Sequence, residues 1–220
     1  MSISVMILGE SGTGKTASLR NMDAASTLLI QSVKKPLPFK SGEWARFNTD
    51  TCKTGNIFVN DNADQICVMM EKTRRKVIVI DDFQYVLANE FMRRSNERGY
   101  EKFTDIGRNA WNILNKAASL PDDVCVYVLA HSQTDDEGRA KMKTIGKMLD
   151  EKLTPEGLFS IVLRTQVRDG AFLFSTKNNG QDTVKSPMGM FDSEFIENDL
   201  NMVDDTIRKY YDLTTQQRSN

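Results

Sequence analysis

Gly9-Glu10-Ser11-Gly12-Thr13-Gly14-Lys15-Thr16 is a complete G-x-x-x-x-G-K-[ST] phosphate-binding loop. Each residue type answers a need of triphosphate chemistry. Glycines let the backbone curl close enough for its N–H groups to wrap phosphate oxygens. Those amides open a helix, whose positive end faces the anion. Lys15 is placed for the β- and γ-phosphates and the Thr16 hydroxyl for Mg²⁺. Ala17 completes the nucleotide-binding set. The flanks agree: Ile3, Val5, Met6, Ile7 and Leu8 form an apolar run suited to a buried parallel strand. Ala17 to Met22 carries no Pro or Gly and is expected to be helical.

The chain has 220 residues, of which 40% are hydrophobic and 27% charged, as expected for one well-filled α/β domain. We expect that domain to span residues 1–213, with a flexible tail at 214–220. The net charge of −1 gives no global pull on nucleic acid, so any such contact needs a local cationic patch. Cys52, Cys67 and Cys125 have no paired spacing and suggest neither a disulfide framework nor a metal site. No apolar run reaches the ~18 residues of a membrane helix, and no secretory segment precedes the loop. The expectation is a cytoplasmic protein without a membrane partner.

Downstream, Thr27–Gln31 is expected to form a strand, ending before a run broken by Pro36 and Pro38. Ile57–Val59 forms a further short strand. Asn62 caps a helix carrying Ile66, Met69 and Met70. Val77–Asp82 is the clearest strand of all. A helix reaches Phe91, a polar and basic loop covers 93–99, and an amphipathic helix with Ile106, Ala110, Ile113, Leu114 and Ala117 stops at Pro121. Val124–Leu129 is a buried strand, Asp135–Gly138 a loop, and 144–153 a helix. Asp169-Gly170 joins two strands in a hairpin. Asn201 is expected to cap the last helix.

Asp81 stands at the end of an apolar strand, where an acid holds Mg²⁺ or its waters. Asp82 either positions the attacking water or caps the helix after it. His131 finishes a core strand, where open parallel sheets place their ligands. With Ser132 and Gln133 it either senses the γ-phosphate and water or simply ends the strand. Lys177 and Lys185 follow the hairpin, as trans-acting charges or as surface lysines. Arg93, Arg94 and Arg98 offer a DNA surface beside Tyr100 and Phe103, or else pair with Glu90, Glu97 and Glu101. Lys141, Lys143 and Lys147 are the next DNA candidates. The guanine-specifying N-K-x-D motif is missing from Thr176-Lys177-Asn178-Asn179, which favours adenine.

Gly9–Thr16, Lys34–Phe39, Val77–Asp82 with Phe83-Gln84, Leu129–Gln133, Tyr100–Gly107 and Lys177–Met188 together resemble a RecA-type ATPase core. The likeness is greatest to phage-encoded nucleotide-binding proteins of the single-strand annealing recombinase type. The resemblance implies a RecA-like P-loop fold: a mostly parallel central sheet flanked by helices, with a C-terminal β-hairpin. It also implies ATP with Mg²⁺, single-stranded DNA as partner, and a ring or filament with ATP at subunit interfaces. A single-strand-binding protein is a further candidate partner. By position, Lys15 and Thr16 bind phosphate and metal, Asp81 the metal, Gln133 or His131 senses γ-phosphate, and Lys177 acts in trans. One departure stands out. Such enzymes carry a catalytic glutamate after the second strand, whereas Gln31-Ser32-Val33-Lys34-Lys35 has no acid.

Three functions compete at this point. The first is an ATP-dependent recombination or annealing protein. The second is a P-loop small-molecule kinase, for which the Arg93–Arg98 loop is the one candidate lid. The third is an ATP-binding loader or scaffold of low turnover.

Overall fold

The computed structural model describes residues 1–145 and 154–213. Its strands are β1 (Ile3–Gly9), β2 (Thr27–Gln31), β3 (Ile57–Val59), β4 (Val77–Asp81), β5 (Cys125–Thr134), β6 (Ala140–Met142), β7 (Ile161–Arg168), β8 (Ala171–Ser175) and β9 (Phe195–Glu197). The helices are α1 (Ala63–Lys72), α2 (Gln84–Arg93), α3 (Glu101–Ala118) and α4 (Leu200–Tyr210). The sheet runs β3-β2-β4-β5-β1-β7-β8-β9, with β6 paired to β5 off this path. From β3 to β7 every pairing is parallel, and the β5–β6, β7–β8 and β8–β9 pairings are antiparallel. This is the RecA-like P-loop architecture, a mostly parallel α/β sheet with an antiparallel C-terminal extension. Its decisive feature is that β5 lies between β1, which carries the phosphate loop, and β4, which carries Asp81.

The strands are apolar without alternation because both faces are covered. Along β1, Met6 and Leu8 enter one core with Ile66, Met70, Val86, Ile106, Ile113 and Ala117 from α1, α2 and α3. Val5 and Ile7 enter the other, with Leu19 and with Leu200, Val203 and Ile207 of α4. A buried polar clip fastens α4: Tyr127 Oη donates to Asp204 Oδ1 at 2.6 Å, and Arg208 Nε to Asp204 Oδ2 at 2.6 Å. Burial and the Asp204 charge push the Tyr127 phenol well above its usual pKa, so it stays a donor.

Several expectations change. The segment after the loop is a six-residue 3-10 turn, Thr16–Asn21, rather than an α-helix. It stops because Asp23 turns the chain, its carboxylate accepting from the amides of Ala25 and Ser26 at 3.0 and 3.1 Å. The last helix is capped by Asp199, which accepts from the amide of Asn201, and not by Asn201 itself. The 135–138 loop joins β5 to β6, a strand that polar composition concealed. Strand β9 was likewise unforeseen. Asp169 and Gly170 take φ of 50° and 79°, as a two-residue hairpin demands. Of the expected 144–153 helix, residues 146–153 lie outside the described residues, as does the expected 214–220 tail; Thr144 and Ile145 are not helical. The three cysteines are free thiols.

Candidate nucleotide-binding site

The parallel strands deliver their carboxyl ends to one edge of the sheet, and the polar residues collect there. β1 passes into the loop at Gly9, whose lack of a side chain is a packing requirement. A Cβ there would lie 1.8 Å from Thr165 Oγ1 and 2.7 Å from Thr13 Oγ1. Thr165, on the neighbouring β7, donates to Leu8 O at 3.2 Å and meets the Thr13 hydroxyl at 2.6 Å. Thr13 also donates to Glu10 O at 2.8 Å. The loop is thus stapled to β7. Gly14 has φ +98°, and its α-carbon is flanked by the Phe172 ring and by Asn198, each 3.0 Å from where a Cβ would stand.

The 3-10 turn after the loop is short, but it is clamped from the far end of the chain. Arg20 donates to the Asn198 carbonyl and pairs with Glu197 at 2.9 Å. Asn21 Nδ2 donates to Asp199 Oδ2 at 2.6 Å. The β9–α4 junction therefore supports the loop that the first strand begins.

Lys15 is buried and donates to Gly9 O at 2.9 Å and Glu10 O at 2.8 Å. Burial pulls its ammonium down to about 8, against the attraction of Asp82 and Asp81. Thr16 Oγ1 donates to the Asp81 carboxylate, 3.0 Å from both oxygens. Asp81 is fully buried, and burial pushes its carboxyl up to about 6, with repulsion from Asp82 adding to the effect. Asp82 follows with φ +57°, a left-handed conformation that turns its carboxylate back over the sheet edge. It does not cap α2: the residue at that position is Phe83, with no side-chain cap, and Asp82 uses its carboxylate elsewhere.

The carboxylate of Asp82 is shared. Lys35 Nζ donates to Asp82 Oδ2 and sits 3.8 Å from Asp81 Oδ2. His131 Nε2 is 3.5 Å from Asp82 Oδ1. Burial, and then the Lys15 charge, lowers the His131 pKa, so the imidazole is neutral at pH 7. Burial opposes the Lys35 charge, yet Asp81 and Asp82 leave its ammonium above the ordinary value. After β2, where the RecA-type resemblance leads to the expectation of an acid, this chain presents a cation.

A cavity of about 520 Å³ runs across these groups. Ser11, Gly12, Gly14, Lys15, Thr16 and Ala17 form its floor, Asp82, His131, Lys35, Pro36 and Pro38 one end, and Phe172 the other. Glu10 and Thr13 face a neighbouring polar recess with Arg164 and Thr165 instead. Gln133 lies two residues beyond His131, opposite Lys141 in the β5–β6 hairpin, and does not line the cavity. Lys177 is also outside it, donating to Asp192 O at 2.8 Å.

The residues present fit a magnesium–nucleotide and not a metal held by protein alone. The Thr16 hydroxyl and Asp81 carboxylate are hard oxygen donors, too few for a closed cage. No cluster of three or more His, Cys, Asp or Glu suited to a metal occurs among the described residues. Beside Asp81, its register partner Gln31 has a buried Oε1 and the next residue, Ser32, a buried Oγ, both without a hydrogen-bond partner. Hydrogen-bonding capacity is thus left over for the waters that Mg²⁺ retains.

In the arginine loop, Arg94 takes the carboxylate pairing that was the alternative to a DNA surface. Arg94 is bound to Glu90, Glu97 and Asp105, at 3.2, 2.8 and 3.0 Å, and braces α2 against α3. Arg93 pairs with Asp61 at 2.7 Å while staying half exposed. Arg98 is exposed. Of the fallback lysines, Lys147 lies outside the described residues.

Sequence reasoning missed Lys35, Phe172 and Thr165. Only Lys35 left a signal, a cation after a predicted strand, held by a proline-stiffened run. Phe172 and Thr165 sit on a hairpin whose register with the loop strand is a tertiary fact.

No family model matches the chain, and no curated protein matches it. Among solved structures, an ATPase from the type III secretion system of pathogenic bacteria is similar, with a TM-score of 0.45 and 10% sequence identity. The similarity covers 74% of this chain and 51% of that one, so the chain spans about half the length of that ATPase. No helix among the described residues is long and apolar enough to cross a membrane.

Proposed function

We propose that this chain is a Mg²⁺-dependent ATPase that acts on single-stranded DNA, in the manner of the phage annealing recombinases it resembles. The observation that carries the nucleotide part is the Thr16–Asp81 pair, joined at 3.0 Å, with Thr16 and Lys15 lining one cavity. A threonine from the turn after the phosphate loop and an acid from β4 form the half-shell a Mg–triphosphate would complete. Thr16 and Asp81 are the residues that would hold Mg²⁺, which would supply neutralisation of charge developing on the phosphates.

The chain's own groups divide the remaining work. Loop amides and Lys15 bind and orient the phosphates. Asp82, within 3.5 Å of a neutral His131, is the group to take the proton of the attacking water. His131 orients that carboxylate and lines the cavity beside it. Pro36 and Pro38 exclude water from that end. Adenine is the expected base, and Phe172 is the ring against which it stacks. Arg93 and Arg98 are the DNA contacts, with Arg94 as their strut; Lys177 would serve the neighbouring subunit of a ring or filament.

The test is ATP hydrolysis with and without single-stranded DNA, on wild type, Lys15→Ala and Asp82→Asn. DNA-stimulated turnover supports the proposal. Transfer of phosphate to a small molecule makes the chain a kinase, and tight ATP binding with negligible turnover a loader or scaffold. Lys15→Ala should abolish tight binding, and Asp82→Asn should lower turnover far more than affinity.

A further inference from the structure

We propose that Lys35 is the cation that reads the third phosphate in this site: it rests on Asp82 and crosses to the γ-phosphate of a bound triphosphate. The inference builds on the nucleotide reading above and names a residue that reading does not need. Three observations carry it. Lys35 reaches both acids at the sheet edge, contacting Asp82 and lying 3.8 Å from Asp81. It lines the same cavity as Lys15, Thr16 and Asp82. Its side chain is one-third exposed, at 36%, whereas those of the two acids are buried. The ammonium can therefore move while the carboxylates stay.

Charge balance gives the direction of movement. Lys15 and Lys35 offset Asp81 and Asp82 in this cluster. A magnesium–triphosphate carries a net charge of about −2 and places its outermost phosphate beyond Lys15, toward the acids. A diphosphate lacks that group. The third phosphate competes with Asp82 for Lys35 through a charge-assisted hydrogen bond of comparable strength. The backbone supports such a transfer. Gln31 Nε2 donates to the Lys35 carbonyl at 3.4 Å, Pro36 fixes the next residue, and Leu37 and Phe39 pack against the core. The main chain is anchored and only the long side chain has to swing.

Calorimetry tests this, with Mg–ADP and with Mg and the non-hydrolysable β,γ-imido analogue of ATP, on wild type, Lys35→Met, Lys35→Arg and Asp82→Asn. Wild type is expected to prefer the triphosphate analogue. Lys35→Met should cut that preference at least tenfold, with ADP affinity kept or raised, and Lys35→Arg should retain most of it. Asp82→Asn frees Lys35 and should raise triphosphate affinity more than ADP affinity. An unchanged preference in Lys35→Met, or equal loss for both nucleotides, makes Lys35 a structural counter-ion and overturns the proposal. If Lys35→Met does not fold, Asp82→Asn decides alone, and an unchanged or lower preference there overturns it too. A wild type that binds both nucleotides equally refutes the Lys35 role only. One that binds neither refutes the nucleotide reading as well.

Discussion

Thr16 and Asp81, 65 residues apart, meet across the sheet edge with the threonine hydroxyl equidistant from both carboxylate oxygens at 3.0 Å. The contact joins β4 to the phosphate loop over the intervening β5, and it keeps an acid ionisable in a fully buried position.

That acid sets a pH window for binding. Asp81 must be ionised to serve Mg²⁺, and its pKa is raised to about 6; Lys15 must be charged, and its pKa is lowered to about 8. Magnesium–nucleotide affinity should therefore be greatest between about pH 6 and 8, falling on the acid side through Asp81 and on the alkaline side through Lys15. Titrations with a fluorescent ATP analogue from pH 5 to 9 check this. A flat profile across that range contradicts the assignment of both groups.

Burying Asp81 also costs stability, with a definite sign. Its folded pKa of about 6 exceeds the unfolded value of 3.8. Its ionisation therefore costs nothing below about pH 3.8, and the penalty is complete above about pH 6. Asp81→Asn should raise the melting temperature at pH 7–8 by several degrees, for a gain of about 1–2 kcal/mol after loss of the Lys35 attraction. The gain should shrink toward pH 4, while the Mg²⁺ dependence of nucleotide binding disappears. Thermal melts from pH 4 to 8 measure it.

Phe172 lies at the end of the cavity away from Asp82, half exposed and against Gly14. If the base stacks there, Phe172→Ala should weaken ATP by about 1–3 kcal/mol, the usual worth of a base on an aromatic ring. Affinity for inorganic triphosphate, which has no base, should be unaffected. Equal losses for both would mean that the ring only props the loop.

Gly9→Ala should distort the loop, because the new methyl would overlap Thr165 Oγ1 at 1.8 Å. We expect nucleotide binding to fall by at least tenfold. Gly9→Ala with Thr165→Ala should restore part of it, the Thr13 contact at 2.7 Å preventing full recovery. No rescue in the double variant would place the strain elsewhere.

For DNA, affinity should fall steeply with salt, and Arg93→Ala with Arg98→Ala should flatten that slope by roughly one unit per lost phosphate contact. Arg94→Ala should instead lower the melting temperature, since Arg94 braces α2 on Asp105 of α3. An unaltered salt slope in the double variant moves the DNA surface away from this loop.

How much was legible in the chain follows from which forces are local. The strand before the phosphate loop, the Val77 strand and the α3 face are written in consecutive residues and formed, the Val77 strand ending at Asp81, one residue before the expected Asp82. The α-helix expected after Thr16 did not form because Asp23, a local turn signal, competes with helix continuation. Asp82 could be read as a water positioner or a helix cap, and the cap is set aside only in three dimensions, where Phe83 holds that position and the Asp82 carboxylate meets Lys35. Arg94 has its carboxylate partners spread over α2, the following loop and α3, so its commitment could be seen only in three dimensions. Strands β6 and β9 are three residues each, too short to carry a period.

The hairpin of β7 and β8 sets the two ends of the cavity on strands of opposite direction. Everything at the phosphate end hangs on parallel strands that share both cores, whereas Phe172 rides on an antiparallel strand that follows a two-residue turn. On the proposed reading, a change at Phe172 alone would alter what meets the base, because Phe172 lines the cavity while Phe174 of the same strand is buried in the core.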